Sequence, residues 1–181
     1  MRSFWVDGAA TAVSVSPASG GPPATGLGTP TTFTFTFASA NGWQDIAWTE
    51  MEFNYYNVGS GACFIGYWPN SGQVALMADN ANSGWLWMGN LGQTQAEPGN
   101  SQCAVDLAHS SMPVVSPAAI QVTLVITFLA GLPGPQQVWM QAGDSEGDSP
   151  VRQQLGAWTT SSVSAQGPSA VSGAWRNSRC T

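Results

Sequence analysis

Lysine is absent from this chain of 181 residues, and its basic side chains are four arginines set against ten acids, for a net charge of −6. Nucleic acids are held by cationic stripes that displace counterions, so a nucleic-acid partner is excluded on charge. A polybasic membrane-surface anchor is excluded in the same way. Charged residues of both signs make up only 8% of the chain, against roughly a quarter in an ordinary soluble domain. Long apolar runs are lacking too. The longest, Ile120 to Leu132, is broken by Gln121, Thr123 and Thr127, and it falls short of the roughly twenty residues that a membrane-spanning helix needs. No membrane insertion is expected. Met1 to Val13 carries one Arg and no extended apolar run, so it does not read as a secretory signal; either such a leader lies outside this chain or the initiator Met opens a fragment. Histidine occurs once, and the three cysteines stand in no C-x-x-C spacing, which leaves no zinc ligand set.

What the chain does have is apolar bulk. Hydrophobic residues make up 43%, with nine Trp, seven Phe and three Tyr, enough for a core and too much for general disorder. Their spacing has period two, the mark of half-buried strands. Thr32 to Phe37 sets Phe33, Phe35 and Phe37 on one face and three Thr on the other. Ile120, Val122, Leu124, Ile126 and Phe128 form a second row, and Thr49, Met51, Phe53 and Tyr55 a third, opposite Trp48, Glu50, Glu52 and Asn54. Further strands are expected at Ala12–Ser16, Cys63–Trp68, Val74–Ala78, Gln137–Ala142 and Leu155–Thr159. Turn signals separate them, among them Ser19-Gly-Gly-Pro-Pro23, Asn41-Gly42, Pro69-Asn-Ser-Gly72, Glu97-Pro-Gly-Asn100 and Leu132-Pro-Gly-Pro135. This punctuation predicts an antiparallel sandwich of two sheets, with a closed barrel as the alternative. Residues 1–11 read as an N-terminal extension, 12–160 as the sandwich, and 161–181 as a Ser/Gly/Ala-rich linker or tail holding Trp175 and Arg176.

A bond between Cys63 and Cys103 would close a loop of about forty residues and stabilise by about 4 kcal/mol on the chain-entropy model. Two small buried thiols are the alternative. Cys180 is left over and could crosslink chains or do nothing. Low charge with much Ser, Thr, Gly and Asn suits an extracellular chain, where disulfides persist.

Several segments together resemble a known pattern. They are Ser14-Val-Ser-Pro-Ala-Ser-Gly20, Thr32-Phe-Thr-Phe-Thr-Phe37 with Asn41-Gly42, Ala62-Cys-Phe-Ile-Gly-Tyr67, Leu76-Met-Ala-Asp79, Asn100-Ser-Gln-Cys103, Val122-Thr-Leu-Val-Ile-Thr-Phe128, Val138-Trp-Met-Gln-Ala-Gly-Asp144 and Gln154-Leu-Gly-Ala-Trp-Thr159. This run resembles the Ig-like modules of large surface proteins of soil bacteria, notably acidobacterial types, over about residues 12–160. The resemblance implies an all-β, Ig-like antiparallel two-sheet sandwich of about 7–9 strands with one disulfide inside the module, Cys63 to Cys103. It implies a place on the bacterial cell surface and no catalytic residues. The wealth of Trp and the tail after residue 160 depart from the pattern.

The chemical constellations are thin. His109 in Asp106-Leu-Ala-His-Ser-Ser111 has Ser and Asp neighbours but no Gly-x-Ser-x-Gly elbow, and reads as a surface-loop histidine. Glu50 and Glu52 share a strand face with carboxylates about 6–7 Å apart. Glycosidases flank a cleft from different elements, so a solvated sheet face is the expectation here. Asp144-Ser-Glu-Gly-Asp148 could present oxygens to calcium, yet neither it nor Asp79 to Gly84 has the twelve-residue calcium-loop spacing. Polar turns look the same, so no cofactor and no metal are assigned.

The aromatics say more. Trp48 and Trp139 phase opposite the buried rows, and Trp68, Trp85 and Trp87 are placed at or near loops. Exposed indoles stack on sugar rings while Asn54, Glu52, Gln137 and Gln141 could take the hydroxyls. A separate reading is assembly: Ala12, Val13 and Val15 lie on a segment that could leave its own domain and fill a groove of a neighbouring copy, swung by the Ser19–Gly28 stretch. The expectation is a non-catalytic extracellular structural or adhesive module, partnered by neighbouring copies or modules of a surface assembly or fibre. A polysaccharide-binding module is the alternative.

Overall fold

The computed structural model describes residues 8–21, 27–93 and 99–160. The tail with Trp175, Arg176 and Cys180, residues 1–7, and Pro98 with Glu97 of one expected turn lie outside them. Twelve strands run through the described residues: β1 (Thr11–Ser16), β2 (Ser19–Gly20), β3 (Pro30–Ala38), β4 (Ile46–Asn54), β5 (Cys63–Trp68), β6 (Gln73–Met77), β7 (Trp85–Asn90), β8 (Cys103–Ser111), β9 (Val114–Ser116), β10 (Ala119–Phe128), β11 (Gly134–Asp144) and β12 (Gln153–Thr160). The only helical pieces among these residues are two 3-10 turns, Trp43–Asp45 and Ala81–Ser83. The chain is therefore an all-β sandwich, with more strands than the 7–9 expected. The excess is β2 and β9, too short to show a period, together with the Trp-rich β7 and the bulged β8.

One sheet has the order β1-β3-β10-β8, with β9 paired to β10. The other has the order β2-β12-β11-β4-β5-β6-β7, antiparallel throughout except for the short β2–β12 pairing. Alternation explains the core. Thr on β3 stays on the outer side while Phe33, Phe35 and Phe37 turn inward, facing Leu124, Val122 and Ile120 in register on β10. From the opposite sheet come Met51, Phe53, Ile65, Leu76, Val138 and Met140, all fully buried. Phe53 meets Phe33 and Phe128 edge-on across the gap, with ring centroids 4.9 and 5.0 Å apart. Each such ring contributes about 2 kcal/mol by leaving water. Tyr55 departs from its expected inward row: β4 ends at Asn54, and Tyr55 stands exposed in the next turn against Tyr56.

The two sheets are also joined covalently. Cys63 on β5 and Cys103 on β8 form a disulfide across the sandwich, with Cα atoms 5.5 Å apart. At the N-terminal side, Ala10 is fully buried, so packing begins before residue 12. β1 then pairs with β3 in the same chain, Val15 opposite Phe35.

Candidate functional site

The informative surface is the outer face of the seven-stranded sheet. Period two on β4 sends Trp48, Glu50, Glu52 and Asn54 outward, and register fixes their neighbours. On one side β11 sets Gly143, Gln141, Trp139 and Gln137 opposite these four in turn. On the other, β5 sets Gly66 opposite Glu50 and Phe64 opposite Glu52. Gly66 then pairs with Ala75 on β6, and Ala75 with Trp87 on β7. Trp48, Trp68, Trp85, Trp87 and Trp139 therefore share this one face. Trp68 ends the expected strand Cys63–Trp68 next to a turn, and Trp85 and Trp87 stand on a strand that was not expected, β7, which Trp85 opens.

Small residues let the indoles lie on the sheet. A Cβ at Gly66 would sit 2.8 Å from Trp68 Cη2 and 3.1 Å from Trp85 Cη2, and one at Gly143 would overlap the Trp48 indole. Trp68 packs edge-on to Trp85 at 5.7 Å and tilted against Trp87 at 4.8 Å, while Phe64 meets Trp85 at 5.0 Å. These contacts consume part of each ring, and Trp87 is the indole left open, 59% exposed. Trp139 donates its ring N–H to the Asn54 carbonyl at 3.3 Å, which fixes its plane. Tyr55 and Tyr56, which follow β4, are two further exposed rings, packed edge-on to each other.

Between the two Trp groups lies the charge. Arg152, just before β12, reaches over β11 and β4, stacks its guanidinium 4.5 Å above the Phe64 ring, and pairs with both carboxylates. Its Nη1 donates to Glu52 Oε2 at 2.5 Å and to Asn57 Oδ1 at 2.7 Å; its Nη2 donates to Glu50 Oε2. Glu52 Oε1 accepts from the Gly59 N–H at 2.8 Å. The expectation of a solvated carboxylate face is corrected here: Glu52 is 0% exposed, covered by the 55–61 turn and by Arg152. Burial pushes the Glu50 carboxyl above the usual carboxylate range despite the pull of Arg152. Gln141 donates to the Pro150 carbonyl at 2.8 Å and so holds the chain leading to Arg152 against the sheet.

The remaining candidates lie elsewhere. His109 sits on β8 rather than in a loop, where a bulge turns it outward. Its Nδ1 is 2.6 Å from Asp106 Oδ2, and this hydrogen bond holds the Asp106 carboxyl below its usual range. The adjacent Ser110 hydroxyl donates to the Asp106 carbonyl at 2.6 Å and accepts from the Val125 N–H at 3.0 Å, stitching the bulge to β10. Ala12, Val13 and Val15 are in β1, with Val15 buried and Val13 exposed at the sheet edge. Asp144 and Glu146 come within 4.8 Å of Asp45, which sequence spacing did not suggest. Sequence reasoning also missed Arg152. Its signal was available: it is the one basic residue, His109 aside, between Arg2 and Arg176, and two glutamates two residues apart invite such a partner.

Fold and site together define a two-sheet β-sandwich with one aromatic outer face that holds an ion-paired cluster. Comparison of the chain with protein-family models, curated proteins and solved structures found no match.

Proposed function

We propose that this chain is an extracellular, non-catalytic binding module whose outer sheet face takes a neutral polysaccharide. The observation that carries the reading is the gathering of five Trp on a single sheet face around an ion-paired Glu50–Arg152–Glu52 cluster. Indole faces offer apolar area for the C–H side of a sugar ring. The surrounding amides of Gln73, Gln137, Gln141 and Gln154 can both donate to and accept from hydroxyls. Anionic polymers are disfavoured by the net charge of −6. The Cys63–Cys103 disulfide supports an oxidising compartment, and a surface protein of the Ig-like kind suggested by the sequence would display such a module outward.

Assembly by N-terminal strand exchange is the weaker reading. β1 is seated in its own sheet with Val15 in the core, so exchange would first have to undo that pairing. The test of the favoured reading is retention of the full chain on insoluble cellulose, chitin, xylan and mannan. The wild type is expected to be retained on at least one. Trp87→Ala, which removes an exposed ring, should cut that affinity about tenfold with an unchanged circular dichroism spectrum. Equal retention of the variant, or no retention of the wild type on any of the four, overturns the reading.

A further inference from the structure

Three acids converge where β4 begins and β11 ends. Asp45 closes the 3-10 turn ahead of β4, and Asp144 ends β11 opposite Ile46. Glu146 is in the turn that follows, and one carboxylate oxygen from each of the three lies within 4.8 Å of the others. Arg152, the one Arg or Lys among the described residues, is bound to Glu50 and Glu52. Such a cluster needs something more than charge to indicate a ligand, and two features supply it.

The first is Asp144, 3% exposed, whose Oδ2 is buried with no hydrogen-bond partner. Its Oδ1 is already committed, accepting from the Glu146 N–H at 3.1 Å and the Asp148 N–H at 2.8 Å. A buried, unsatisfied carboxylate oxygen is costly unless something positive meets it. The second is a shortage of protons. Ser145 Oγ lies 2.8 Å from Asp45 Oδ1 and 2.9 Å from Glu146 Oε2, yet a hydroxyl has one proton to give. That hydroxyl can therefore donate to only one of those two oxygens. The other Asp45 oxygen accepts from Ser39 Oγ at 2.6 Å and Asn41 Nδ2 at 3.4 Å, which orients the carboxylate from behind.

We propose that Asp45, Asp144 and Glu146 form a Ca2+ site that ties the start of β4 to the end of β11. Calcium takes six to eight oxygens at about 2.3–2.6 Å, so two ligands of one ion are at most about 5 Å apart, and the three carboxylates meet that limit. Loop-borne side chains and water complete a flexible sphere of this kind. Magnesium demands a tighter octahedron, at about 2.0–2.1 Å, and is the poorer fit to oxygens spread over two separate elements. The ion would supply the missing positive charge at Asp144 Oδ2. The site is independent of the polysaccharide face.

The experiment uses the full chain stripped with EDTA and desalted, titrated with CaCl2 and separately with MgCl2 by calorimetry, with thermal unfolding alongside. One Ca2+ per chain is expected, with a Kd of about 10⁻⁵–10⁻³ M, a raised Tm, and Mg2+ binding about tenfold weaker. Asp144→Asn should abolish the heat. Because that variant puts an amide in place of a buried, hydrogen-bonded carboxylate and can fail to fold, Glu146→Gln on the exposed turn is the second arm: it should weaken Ca2+ about tenfold with an unchanged Tm in EDTA. No heat and no Tm shift in the wild type, Mg2+ binding as tightly as Ca2+, or full-strength Ca2+ binding by Glu146→Gln each overturns the proposal.

Discussion

Arg152 does at the scale of one residue what lysine-rich proteins spread over many. It bridges two carboxylates, covers Phe64 and anchors the 55–61 turn through Asn57. Glu52, fully buried, depends on it, and the Gly59 N–H depends on Glu52. Removing one member of a buried pair leaves the other uncompensated, which costs about 3 kcal/mol. Arg152→Ala, which leaves the buried Glu52 carboxylate uncompensated, is therefore expected to lose about that much in urea unfolding at neutral pH; a loss under about 0.5 kcal/mol would put the pair in the class of exposed ion pairs. Glu50 behaves differently. Its carboxyl is raised by burial more than Arg152 lowers it. A carboxyl whose pKa rises on folding favours the fold fully below its unfolded value, and that contribution is lost as pH climbs through the folded value. Glu50→Gln cannot ionise. It should thus match the wild type below about pH 4 and become relatively more stable toward neutrality. Urea midpoints at the two pH values test this, and a variant that falls behind at pH 7 would show Arg152 outweighing burial.

At the scale of the element, legibility followed how local the cause was. β3 and β10 were readable because each pairs along nearly its whole length and buries every second side chain. β5 was found at its actual bounds, Cys63 and Trp68. β8 was missed because its alternation holds only from Cys103 to Leu107, after which the bulge at Ala108 and His109 turns two successive residues outward. β7 was mistaken for loop because its two Trp follow an Asn-Ser-Gly turn, and only pairing with β6 shows that they phase with Ala75 and Met77. Glu52 was placed on the correct side of β4 yet taken for solvated, since what buries it is an arginine 100 residues away. The gathering of the aromatic face has the same origin. Periodicity tells which way a Trp points along one strand, but strand order decides which Trp become neighbours, and order is a property of the whole sheet. Asp45 and Asp144 meet for that reason too, through the β4–β11 pairing.

Taken as a whole molecule, the sandwich is held by two inner faces and one covalent link between them. The disulfide is placed where it matters for the aromatic face. Its 40-residue separation encloses β6 and β7, the latter bearing Trp85 and Trp87, ahead of β8 in the other sheet. Among the described residues β7 is an edge strand, paired with β6 alone, and its outward indoles pack back on Trp68. Opening the bond would release this loop in the unfolded state and remove the tie between β5 and β8 in the folded one. Closing a loop of that length stabilises by about 4 kcal/mol on the chain-entropy model. Replacing Cys63 and Cys103 together by Ala is accordingly expected to lower the unfolding free energy by about 4 kcal/mol in urea, with the core Phe rows keeping the fold assembled at low denaturant. Loosening should be uneven: hydrogen exchange is expected to rise on β6 and β7 before it rises on β3 and β10, whose buried rows do not depend on the bond. A uniform rise over all four strands would mean that the sheets come apart as one unit, and that the Trp face owes its order to the whole sandwich rather than to the loop the disulfide closes.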